Sequence, residues 1–178
     1  MFGLPSPRQR IALLVMVGVV ASSCASSDAN VDETERDDGG DVVEGGDVGV
    51  FRLRVGDCVQ LPGGIDGGEA EEVAALEAIS CTEEHTGEVV LVENQFFGDP
   101  DEFPGEEEAF RLADPRCIAA LDAYTGTDFE TSPFGYYALT PTQSTWDQVD
   151  DRELVCIGLT LDDDLVTTKS TTGSMRAG

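Results

Sequence analysis

The sequence predicts an α+β fold: a single disulfide-stapled domain, mainly antiparallel sheet, with one or two helices on one side. Three observations carry this. Apolar runs of strand length open and close the domain, a stretch rich in Ala and Glu in its middle suits helix, and four cysteines follow an export signal. The domain spans residues 50–178, long enough for one core.

Ahead of it, Arg8 and Arg10 precede an apolar run of about eleven residues ending in Ala21-Ser22-Ser23-Cys24. Small residues directly before a cysteine form a bacterial lipobox, so residues 1–23 are expected to be a signal peptide and Cys24 the lipidated residue. The run is short for a bilayer span, which needs about 20 apolar residues. Two acyl chains on Cys24 would hold the protein at the extracytoplasmic face of the cell membrane. Residues 24–49 are acidic and Gly-rich without aromatic residues, and are expected to form a disordered tether. The acids Asp37, Asp38 and Asp41 lack the ligand spacing of an EF-hand loop.

Within the domain, Val50-Phe-Arg-Leu-Arg-Val55 alternates apolar and basic residues, as a half-buried strand does. The glycine-rich stretch Leu61–Gly68 lacks the Gly-Lys-Ser/Thr ending of a phosphate loop. Residues 70–80 favour strand near Ile79, and Glu88–Val92 reads as a central strand. Glu106–Ala113 suits a helix with its acids at the positive end of the dipole. Asp114-Pro115 is expected to restart it, with Asp114 as cap, and Gly126 to stop it. Cys117, Leu121 and Tyr124 then share one face. Gly135–Leu139 is a strand, Pro141–Trp146 a turn or short helical segment, and Asp150-Asp151-Arg152 a further turn. Leu154–Leu161 is the strongest strand signal, with Val155, Ile157, Leu159 and Leu161 on one face.

Cys58, Cys81, Cys117 and Cys156 allow three pairings. Cys58 with Cys81 and Cys117 with Cys156 is favoured, and each bridge would stabilise by about 3–4 kcal/mol. No two of these cysteines have the short spacing that presents paired thiolates to zinc, so no metal and no cofactor is expected. The formal charge is −26 and becomes more negative once Arg8 and Arg10 are removed, which makes nucleic acid and anionic lipid poor partners, and no nucleic acid is expected.

Gly56-Asp57-Cys58, Cys81-Thr-Glu-Glu-His85 with Glu88-Val89, Cys117 with Tyr124, Trp146, Asp151-Arg152, Cys156 and Gly173-Ser174-Met175-Arg176 occur in an order that resembles the septum formation family of actinobacteria. The resemblance covers about residues 53–178. Departures are Glu84 where proline is usual, Asp150 where glycine is usual and Met175 where leucine is usual. It implies a secreted or membrane-attached envelope domain with a link to division septum formation.

His85 is the sole histidine, and neither a nucleophile elbow nor a Cys-His protease signature accompanies it. It is expected to cap a turn, with partner contact as its second role. Trp146 reads as a core anchor first and a ligand platform second; Tyr136 and Tyr137 are the other candidate binding aromatics. The expectation is therefore a non-enzymatic envelope lipoprotein that binds an envelope or division protein. A binding module for wall glycan or a small solute is the alternative, and a wall hydrolase the third.

Overall fold

A computed structural model describes residues 31–61, 73–98, 101–163 and 168–178. The export segment, Cys24 and the glycine-rich loop after Leu61 lie outside the described residues.

The strands are β1 (Glu35–Arg36), β2 (Val42–Glu44), β3 (Gly46–Gly49), β4 (Cys58–Gln60), β5 (Ala75–Ile79), β6 (Gly87–Glu93), β7 (Phe134–Leu139) and β8 (Leu154–Thr160). Two helices join them, α1 (Glu106–Thr125) and α2 (Gln143–Val149). β1 and β2 form a small hairpin, and the other six strands make one sheet in the order β3-β5-β4-β6-β8-β7. Every pairing is antiparallel.

The sheet is buried on both faces. Val59, Leu76, Val89, Val155, Ile157 and Leu159 pack on one face with Val42, Val48 and Leu53. On the other, Val90, Leu154 and Cys156 meet Ala113, Cys117, Ala120 and Leu121 of α1. β6 serves both layers through a bulge between Val89 and Leu91. The extra residue lets Val90 and Leu91 face the helix while Val89 and Val92 face the opposite layer. Gly158 of β8 lies where helix and chain end press on the sheet: a Cβ there would stand 2.6 Å from Met175 Sδ and 2.9 Å from Leu121.

Both favoured disulfides are present, Cys58–Cys81 and Cys117–Cys156, with Cα separations of 5.2 and 5.4 Å. The first joins the β4–β5 side of the sheet to the turn after β5; the second pins α1 to β8.

Three expectations are corrected. Residues 31–49, expected to be disordered tether, are folded: β3 pairs with β5, Val48 is fully buried and Val42 nearly so. Average composition hid two valines that each find a place in the core, while the surrounding acids stay on the surface. Val50–Val55, expected to be a strand, is a 3-10 turn at Val50–Arg52 followed by loop. β3 and β4 flank β5 on its two sides and run parallel to each other. The intervening residues must therefore cross over the end of β5, and cannot pair themselves. α1 runs unbroken through Asp114-Pro115 and ends at Gly126 in the left-handed conformation. A proline in a helix loses one backbone bond. The buried stripe Ala109, Ala113, Cys117, Ala120 and Leu121 continues across it, so packing on the sheet holds both halves in line.

Candidate functional site

The motif residues gather in two places. The first surrounds Glu88, the second residue of β6, whose carboxylate is buried. Glu88 Oε1 accepts from the Tyr124 hydroxyl of α1 at 2.5 Å and the Ser174 hydroxyl at 2.6 Å; Oε2 accepts from the Met175 N–H at 2.6 Å. Burial and the neighbouring Glu88 carboxylate push the Tyr124 phenol above its ordinary range. Arg176 lies over the Tyr124 ring, 4.9 Å from its centroid. The Ala177 N–H donates to Tyr124 O. The chain end is thus clasped against sheet and helix.

The same segment zips along the turn after β5. His85 and Thr171 exchange backbone hydrogen bonds at 2.9 Å each, and Gly173 donates to Cys81 O at 2.6 Å. His85 is fully buried; its Nδ1 lies 2.9 Å from Glu83 O, and its Nε2 has no hydrogen-bond partner. Asp57, beside Cys58, accepts from Arg36 Nη1 at 2.5 Å and Nη2 at 3.0 Å and from the Arg54 N–H at 2.9 Å. That carboxylate raises the Arg36 guanidinium above its ordinary value. The pair ties β1 to the start of β4.

The second place is the α2 corner. Trp146 is 3% exposed, with the Arg152 guanidinium 3.5 Å from its ring centroid and the Phe97 and Phe103 rings at 6.4 and 5.5 Å. Arg152 pairs with Asp150 at 2.9 Å and donates to Asp151 O at 2.8 Å. Trp146 Nε1 and Arg152 Nε are buried without hydrogen-bond partners. Next to them the half-buried Glu153 is pushed up from 4.5 to about 7, first by burial and then by Asp151.

The candidate binding aromatics do not converge. Tyr136 packs on the α1 side of β7, where its hydroxyl donates to Asp114, while Tyr137 packs on the opposite layer. Burial, then Asp114, raises the Tyr136 phenol. Trp146 is in the core. His85 sits at a turn between β5 and β6, held to the chain end.

Chemically, the clasp is an acceptor saturated by three donors. Cys58, Cys81 and Glu88 have ligand atoms within 4.8 Å of one another, but both sulfurs are spent in one disulfide and offer no thiolate to a metal. Sequence reasoning missed Glu88, Asp57 and Arg36 as interacting residues. Glu88 begins an apolar run, and the signal that it differs from its neighbours was its place in the motif order.

The septum formation family matches residues 55–177, and the chain belongs to this family. No curated protein matches the chain. No solved structure matches it either.

Proposed function

We propose that this member of the septum formation family is a non-enzymatic, lipid-anchored extracytoplasmic domain that binds another protein of the cell envelope. Family membership supports a role in septum formation. One observation carries the finer reading: the motif residues are spent on one another. His85, Glu88, Tyr124, Ser174 and Arg176 hold the chain end, Asp57 ties β1 to the start of β4 through Arg36, and Trp146 stacks on Arg152. Residues so engaged build a stable scaffold, which leaves the partner to meet the surface.

Two disulfides fit an oxidising compartment outside the cytoplasm. Among the described residues no helix is long and apolar enough to cross a membrane; the attachment proposed at Cys24 rests on the small residues Ala21-Ser22-Ser23 before it and the apolar run ahead of them. Cys24→Ala should move the protein from the membrane to the soluble fraction; retention after a carbonate wash would sink the anchor. Proximity labelling from the anchored chain in growing cells should recover division or wall-synthesis proteins. Cleavage of peptidoglycan by the purified chain would end the non-enzymatic reading.

A further inference from the structure

The two edges of the sheet are finished differently. Beyond β3, residues 31–33 run alongside as a short cover: Glu33 donates to Asp47 O, Gly49 donates to Val31 O, and Asp32 bridges Val48. β7, at the other edge, pairs with β8 through six consecutive residues without a bulge. The Leu161 N–H donates to Pro133 O at 2.8 Å, which sets the alternation along the strand. Pro133, Gly135, Tyr137 and Leu139 turn their backbone groups toward β8, and Phe134, Tyr136 and Ala138 turn theirs outward. The Phe134 N–H is taken by Ser132 Oγ at 3.2 Å. Among the described residues, nothing bonds to the N–H of Tyr136 and Ala138 or to the C=O of Phe134, Tyr136 and Ala138.

Exposed edges are normally blunted by a charge, a proline, a bulge or a cover. β7 reads Phe-Gly-Tyr-Tyr-Ala-Leu and has none of these within it. Charge lies instead at its two ends. Near Phe134 are Asp128 and Glu130 of the preceding turn and Asp162 and Asp163 after Leu161, with Lys169, whose N–H bonds Thr160 O, as the cation among the described residues there. Near Leu139, the chain enters β8 through Asp150, Asp151 and Glu153. Arg152 of that loop is already paired with Asp150 and stacked on Trp146, and Arg116 nearby is paired with Glu93. A second copy pairing through β7 would set acidic ends against acidic ends, in a chain of formal charge −26.

We propose that β7 is a docking edge for an extended segment of a partner protein, uncharged in its centre and basic at both ends, which adds to the sheet as a further strand. This rests on the protein-binding reading above and names where binding occurs. Main-chain bonds to Tyr136 and Ala138 would supply affinity, and the acidic ends would select the partner.

The test uses the isotopically labelled full chain and a synthetic peptide of alternating threonine and valine with two lysines at each end. Amide exchange at Tyr136 and Ala138 should slow at least about tenfold on saturation. A peptide with glutamates in place of the lysines should bind about tenfold more weakly. Ala138→Pro removes an outward N–H, at a position where an edge strand accepts proline. It should weaken lysine-peptide binding about tenfold or more while the inward amides keep their protection. Glu130→Lys, an exposed change, should weaken the lysine peptide and strengthen the glutamate peptide, each about threefold. No binding at about 1 mM peptide, protection on other strands instead, or unchanged binding by Ala138→Pro overturns the proposal. Proximity labelling separates it from its premise. Partners recovered equally by wild type and Ala138→Pro remove the β7 edge and leave protein binding standing; no partners recovered by wild type removes both.

Discussion

The clasp around Glu88 and the corner around Trp146 are both made of motif residues, yet they are held by opposite means. In the clasp, a buried carboxylate meets three donors, two of them from a segment more than eighty residues away (separations of 86 and 87). At the corner, Trp146 and Arg152 are six positions apart and are held by ring packing and a stacked guanidinium, with two buried N–H groups left over. Satisfied polar bonds fix distant segments in one register because their geometry is narrow. Ring contacts tolerate unpaired edges, because most of their stabilisation follows buried area.

The sharpest break of this contrast is Glu88→Ala. It strands the Tyr124 and Ser174 hydroxyls and the Met175 N–H, and should cost about 4 kcal/mol in a urea melt. The residues after Thr171 should become sensitive to protease while the α2 corner stays protected. A uniform loss of protection would mean that the two regions are one cooperative unit. Trp146→Ala should cost about 3 kcal/mol through lost packing. The matching change in polarity, Arg152→Met, should stay within about 1 kcal/mol of wild type, since it retains the stacked bulk and removes an unpaired N–H. A loss from Arg152→Met as large as that from Trp146→Ala would show that the corner depends on charge after all.

Tyr124→Phe sharpens the clasp side by removing one of three donors and keeping the ring under Arg176. About 1.5 kcal/mol should be lost, with no change at the corner by amide exchange. The smallest effect is at Glu153. Its folded pKa of about 7 lies above its unfolded value, so the protonated acid favours folding. That contribution is complete below about pH 4.5 and is lost as the pH rises through about 7. Glu153→Gln should therefore gain about 1 kcal/mol over wild type at pH 8, after discounting for solvent, and nothing at pH 4. Equal stabilities at both pH values would remove the burial effect at this residue.

Strands were legible where apolar residues run without interruption, as in β6 and β8, because a two-sided core leaves a continuous pattern. The disulfide partners were legible because parity and chain order limited the choice. Val42 and Val48 were not legible: two valines in an acidic, glycine-rich stretch leave no period, and only the β5 edge gives them a place. The expected restart at Asp114-Pro115 was wrong: the pair is a helix-starting signal locally, but a disulfide and a buried stripe on both sides of it outweighed that preference. Tyr136 and Tyr137 looked like one aromatic pair, and strand alternation sends them to opposite layers.

By itself the sequence determined the α+β class, the strand runs, the helix end at Gly126 and the even set of domain cysteines, since these depend on local pattern and counting. Tertiary structure alone decided that Glu88 would meet Ser174 and Met175, that Arg36 would meet Asp57, and that β7 would be the edge left without a further strand among the described residues. Such contacts join residues far apart in the chain, where sequence carries no geometry and register across the whole sheet chooses which groups meet.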